Sequence, residues 1–350
     1  MTTKYIQPRS GRVMIFDYLK AVAIFLVIAN HTPWSDQELR SPFVPFLINM
    51  AVPIFMIVSG YTLALTSERQ YDENISSLYK LQIMKKKISR YLLPYFMIFI
   101  LQILAEVFIR KAGLEFRGVF SSFITGGYGP GSYYIPVFFQ VILLYPFIFR
   151  FFLKGSLRGL FICGILNIMY EIAVTIVLNN LGAYRPVIGE TYRLIMLRYL
   201  FMIALGTWLY FNKNVRIKKS TLAIMFAVGL SYLLLLQYTD FRLRIFNFWQ
   251  YTCMITAFYI FPIFYLVFRK FRKIRMNSFV SDILMLIGKA SFHIYLVQML
   301  YYHYFGFRIW RIITADKVIQ MLINILICCL GGIALLKLEQ LLRGSSADRK

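Results

Sequence analysis

Acidic residues and histidine are what this sequence most lacks. Only 15 of its 350 residues are Asp or Glu and three are His, against 39 Lys and Arg, while 59% are hydrophobic and 15% charged. So few charges cannot cover a soluble protein of this size, and the composition places the chain among polytopic membrane proteins. Cysteine is scarce as well. Cys163, Cys253, Cys328 and Cys329 all fall within apolar runs, with no metal-ligand spacing to the histidines, which argues against a disulfide framework or a metal centre. No internal repeat, low-complexity tract or soluble domain stands out. A cleavable signal peptide is not expected: MTTKYIQPRSGR is polar and basic, and the apolar run after it is too long and lacks a small-residue cleavage site.

Apolar runs long enough to cross a hydrocarbon core of about 30 Å are abundant. They fall at roughly 13–31, 43–65, 91–109, 132–152, 159–178, 194–211, 221–237, 248–268, 287–305 and 318–336. These predict an all-α bundle of ten transmembrane helices in one domain, 1–350, with both termini on one side. With the termini cytoplasmic, 25 Lys and Arg lie on that side and 11 on the other, Lys20, Arg198 and Lys289 being within spans. The bias fits both termini inside, and it accounts for the formal charge of +24 without nucleic acid. The basic loops 212–220 and 269–275 read as topological anchors, with contact to acidic lipid headgroups as a secondary role.

The first span, RVMIFDYLKAVAIFLVIANHTP, carries Asp17 and Lys20 inside the run and His31 at its far end. Each charge at mid-membrane costs about 2.5–3.5 kcal/mol, which a simple anchor would not carry. On a helix Asp17 and Lys20 sit about 60° apart and His31 about 40° from Asp17, so the three share one face. Along the axis His31 lies about 21 Å from Asp17 and about 16 Å from Lys20, so they mark two ends of one polar stripe, not a dyad. An imidazole can take a proton from a hydroxyl or carry an acyl group. In KKKISRYLLPYF, Lys87 and Arg90 stand one turn apart at the same end as Lys20. Such a cluster is ordinarily a positive-inside anchor, but three cations at the mouth of a bundle could also bind phosphates. Coenzyme A has the matching shape, with phosphates at one end and a thioester at the tip of a long arm.

The external segment 121–136, SSFITGGYGPGSYYIP, holds four glycines and Tyr128, Tyr133 and Tyr134. It reads either as a loop folded over a cavity, presenting aromatic faces to a sugar, or as a turn with an interfacial aromatic belt. Glu106, Glu171, Arg198 and Lys289 read as interhelix pairs or snorkelling groups. His293 and Gln298 lie in the ninth span without an assigned role, and His303 reads as interfacial.

The residues resemble the integral-membrane acyltransferase-3 family of bacterial surface-polysaccharide O-acyltransferases. FDYLKAVAIFLVIANH is similar to its first-helix signature through Asp17, Leu19, Lys20 and His31, and VPIFMIVSGYTLAL to its Phe-x-x-Ser-Gly-Phe/Tyr segment through Phe55, Ser59, Gly60 and Tyr61. KISRYLLPYF resembles its Arg-x-x-Arg segment, YYIPVFFQVILLYP its Trp/Tyr-x-x-Pro helix, and GKASFHIYLVQ its late Gly-Lys-x-Ser-Tyr segment. The resemblance implies a cytoplasmic acyl-coenzyme A donor, usually acetyl-CoA, a hydroxyl acceptor on an envelope glycan, residence in the bacterial cytoplasmic membrane, and an essential His31. Three departures stand out. Lys20 and Lys87 occupy positions where many members have Arg, Gln298 stands where many have His, and the extra hydrolase-like domain of some members is missing.

The expected protein is therefore a membrane O-acyltransferase. His31 would be general base or acyl carrier, Asp17 would orient or pair with a cation, Lys20, Lys87 and Arg90 would hold the phosphates of acetyl-CoA, and Tyr128, Tyr133 and Tyr134 would face the acceptor. A transporter or flippase of a lipid-linked sugar, and an acyltransferase acting on an amine, peptide or small molecule, are the alternatives.

Overall fold

The computed structural model describes residues 13–180, 191–241, 243, 245, 250–271, 279–306 and 316–347. The expected basic N-terminal segment, most of the basic loop 269–275 and the first two residues of the eighth predicted span lie outside them. Among the described residues, ten principal helices stand where the ten spans were expected: α1 Ile15–Asn30, α2 Ala51–Gln70, α3 Leu81–Phe108, α4 Tyr134–Leu153, α5 Ser156–Asn180, α6 Leu200–Phe211, α7 Lys219–Tyr238, α8 Thr256–Phe271, α9 Phe279–Tyr301 and α10 Lys317–Ala347. Among the described residues there is no β-sheet, as expected where every backbone group must find its partner within the lipid-embedded segment. Seven helices, α2 to α5, α7, α9 and α10, are long and apolar enough to cross a membrane. The other three are shorter, with 16, 12 and 16 residues in α1, α6 and α8.

The helix ends depart from the hydropathy boundaries in a consistent way. α3 starts ten residues before its predicted span, because Leu81–Lys87 contains no helix breaker and the basic run KKKISR simply continues the helix. α10 likewise runs on through Glu339 and Arg343, which pair at i,i+4. Conversely, the predicted span from 194 begins as two 3₁₀ turns, Tyr192–Leu194 and Met196–Tyr199. They enclose the fully buried Arg198, which pairs with Glu171 at 3.8 Å and donates to Thr252 at 2.9 Å. The second span is divided too: Phe43–Phe46 and Ile48–Met50 are single turns before α2, around Pro42 and Pro45.

Twelve of the sixteen residues of α1 are buried, which makes it an inner helix of the bundle. Gly288 of α9 lies against the Asp17 carbonyl so closely that a methyl group would overlap it, and fourteen residues on Tyr302 donates its hydroxyl to the Ile28 carbonyl at 2.8 Å. α1 and α9 therefore run parallel. α3 runs parallel to both, with Tyr91 against Phe292 and the Gln102 carbonyl accepting from Tyr304 at 3.0 Å. α10 is antiparallel to α9, since Tyr301 meets Asn324 and His293 meets Glu339. α2 and α6 cross at small residues, Gly60 against Ile203 and Gly206 against Ile57, the close approach on which helix association in lipid depends. α5 and α7 are peripheral, and their exposed Leu157, Phe161, Ile224 and Val228 have the character of a lipid-facing surface.

Candidate active site

These helix directions bring the starts of α1, α3 and α9 together with the ends of α2 and α10 at one end of the bundle. The end of α1 and the glycine-rich segment before α4 meet at the opposite end. A cavity of about 1150 Å³ runs between the two, lined by residues of both. Lys20, Lys86, Lys87, Arg90, Lys289 and Arg343 line its basic end, where Glu339 is the one acidic residue among the described residues of the lining. Lys20 is paired with the buried Asp17 at 2.9 Å, and Arg343 with Glu339 at 2.6 Å. Lys86, Lys87, Arg90 and Lys289 make no ion pair among the described residues. Unpaired positive charge converging on one mouth of a cavity attracts a polyanion.

The middle of the cavity is walled by aromatic rings. Tyr91 stands edge-on to Phe138 and to Phe292, with centroids 4.6 and 5.2 Å apart, and Tyr134 packs on Tyr295 at 5.3 Å. The hydroxyls of Ser59 and Ser291 lie in the same lining. At the far end, His31 follows the last turn of α1, its backbone N–H donating to the Ile28 carbonyl at 3.2 Å and its ring edge-on to Tyr302 at 5.7 Å. The imidazole is half-buried, faces the cavity, and makes no hydrogen bond to any described residue.

The glycine-rich segment closes over this end. Gly126, Gly127, Gly129 and Gly131 have φ of 102°, 88°, 106° and 88°, a region glycine enters without steric cost. Three side chains from α3 and α9 hold the turn. Gln102 donates to the Tyr128 carbonyl at 2.7 Å and accepts from its N–H at 3.1 Å. Gln298 donates to the Pro130 carbonyl at 3.0 Å, and Tyr295 to that of Gly131 at 2.5 Å. Pro130, Gly131, Tyr133 and Tyr134 thereby line the cavity.

The residues singled out in the sequence separate as follows. His31, Lys20, Lys87, Arg90, Tyr133 and Tyr134 share the cavity. Asp17 lies beneath it, 3% exposed and paired with Lys20, remote from His31. Tyr128 points away from it, stacked on Phe99 and on His303. Glu106 is bound to Tyr304 at 2.8 Å and to Arg110 and His303, and Arg198 to Glu171, so both are structural ties between helices. Lys289, expected to pair between helices or snorkel, faces the cavity, as does His293, whose Nε2 lies 2.7 Å from Glu339. Lys86 and Arg343, which in the sequence count only toward the basic bias of one side, also line the cavity. Only the triple-lysine run and the Glu339/Arg343 spacing hinted at more. Gln298, without a role in the sequence reading, is one of the clamps on the glycine turn.

A helical membrane bundle with an internal cavity, cationic at one end and bearing a histidine at the other, defines a membrane-embedded transferase or carrier. The model of the acyltransferase-3 family, described as an acyltransferase domain, decides between them by matching residues 15–336. The chain belongs to that family and is a membrane acyltransferase. No curated protein and no solved structure matches it.

Proposed function

We propose that the protein moves an acyl group, most simply acetyl, from acyl-coenzyme A to a hydroxyl of an envelope glycan, across a bacterial cytoplasmic membrane with both termini inside. The observation that carries this reading is the continuity of one cavity between the cations of α1, α3, α9 and α10 and the unpartnered imidazole of His31. Lys20, Lys87 and Arg90, joined by Lys86, Lys289 and Arg343, would hold the phosphates. Each charge-assisted contact is worth about 1.5–3 kcal/mol. The aromatic neck would sheath the extended arm, and the thioester would arrive at His31, about 16 Å along α1 from Lys20. There the imidazole would either take the proton of the acceptor hydroxyl or carry the acyl group itself. Tyr133 and Tyr134 would offer ring faces and hydroxyls to the sugar. Asp17 would act through Lys20, holding its ammonium in place.

Purified protein in vesicles, given acetyl-CoA labelled in the acetyl group and glycan acceptor, should transfer label covalently to glycan. Passage of a lipid-linked sugar across the vesicle without covalent label would instead identify a carrier. Mass spectrometry of envelope glycans with and without the protein should show the lost acyl mass.

A further inference from the structure

Two polar side chains at the His31 end take no part in the scheme above. Asn30 immediately precedes His31, and Asn49 lies in the turn Ile48–Met50 that packs against α1; both line the cavity with His31. Asn30 is exposed and Asn49 half-buried, and no described residue hydrogen-bonds to either carboxamide. Several side-chain amides elsewhere in the bundle are engaged, although the buried Nδ2 of Asn167 is not. Gln102, Gln140 and Gln298 each donate to a backbone carbonyl, at 2.7, 2.7 and 3.0 Å, as expected where an unpaired polar group is costly. Amide donors left free on a cavity wall, beside the one imidazole that is also free, are available to a ligand.

We propose that Asn49, assisted by Asn30, is the oxyanion-binding group of the acyl transfer, an assignment that rests on the acyl-transfer reading. The acceptor oxygen bonds to the thioester carbonyl carbon, its proton passes to the His31 imidazole, and the carbonyl π pair moves onto the oxygen. The Nδ2–H groups of the asparagines donate to that oxyanion. Collapse re-forms the carbonyl and breaks the carbon–sulfur bond, and the proton returns from the imidazolium to the departing sulfur, giving ester and free thiol. If the imidazole attacks first, negative charge develops on the same oxygen and the same donors hold it. A carboxamide suits this place because it donates to a developing oxyanion without competing with His31 for the proton.

Steady-state kinetics of Asn49→Ala in purified protein should show kcat lowered about 10²–10³-fold, the range for loss of one oxyanion donor, with the donor KM nearly unchanged. Asn49→Asp, equal in size but without the donor, should lose at least as much. Binding supplies a readout that a merely structural role would not move. A trifluoromethyl-ketone analogue of the donor, tetrahedral as its hydrate, should lose affinity in Asn49→Ala, while a thioether analogue without a carbonyl binds as to the wild type. Should Asn49→Ala not accumulate, Asn49→Ser serves the same comparison of the two analogues. Wild-type kcat in Asn49→Ala, or equal loss of affinity for both analogues, overturns the assignment. A wild-type protein that transfers no acyl group overturns the acyl-transfer reading itself, and is recognised because His31→Ala then changes nothing either.

Discussion

Replacing His31 by alanine separates chemistry from folding more sharply than any other change in this protein. The imidazole makes no hydrogen bond to a described residue, and its nearest ring partner is Tyr302, edge-on at 5.7 Å. Losing such an aromatic contact costs about 0.5–1.5 kcal/mol. The backbone N–H that closes α1 on the Ile28 carbonyl remains. Catalysis should suffer far more. General-base assistance is worth about 10²–10⁴-fold, or about 3–5.5 kcal/mol of barrier at 1.36 kcal/mol per decade, and loss of a covalent carrier would be more severe. Purified His31→Ala should therefore accumulate and bind donor like the wild type, while transfer of labelled acetyl to glycan falls by at least two decades. Mixing wild-type protein with donor alone distinguishes the two roles: acyl-His31 detected by peptide mass spectrometry indicates a carrier, and its absence at normal turnover indicates direct attack. Near-normal glycan acylation by His31→Ala in cells would refute the catalytic assignment and the route through the cavity with it.

Neutralising Lys87 and Arg90 together should raise KM for acyl-coenzyme A well above any change in KM for the acceptor, at about tenfold or more per lost phosphate contact. Lys87→Arg should retain activity; a double variant that inserts inverted, with normal donor affinity in what remains, would show the cations to be topological. Gly288→Ala should lower the unfolding temperature in detergent, because its methyl group meets the Asp17 carbonyl and overpacking costs about 1–3 kcal/mol; an unchanged melting temperature would contradict the close approach of α1 and α9. Reporter fusions after residues 85 and 215 should read cytoplasm and those after 38 and 243 the outside, following the 25-to-11 basic bias; an outside signal at 215 would break the helix alternation.

Much of the fold is written locally. Apolar run length placed a helix at each of the ten spans, because in a bilayer a continuous apolar segment has no other way to satisfy its backbone. Helix ends were less legible. Hydropathy reports where lipid stops, whereas a helix stops where its backbone is broken, so α3 and α10 continue through charged turns that read as loops. The stripe on α1 was readable as well, since Lys20 and His31 share a helix and helical geometry alone sets their separation.

What the sequence by itself determined is thus the class of architecture and the inner polar helix with Lys20 and His31 on one face, all properties of contiguous residues obeying a fixed period. Only the tertiary structure decided which distant residues share the cavity. Lys289 and Arg343 join Lys87 there because α9 lies parallel to α1 and α3 while α10 runs back against α9. Tyr128 is turned out, and Tyr133 and Tyr134 in, because Gln102 and Gln298 seize the glycine turn by its carbonyls. Asn49 reaches the His31 end because the turn before α2 folds onto α1. Such meetings depend on close approaches such as Gly288 on Asp17, and no spacing within one helix encodes which helix will stand beside it.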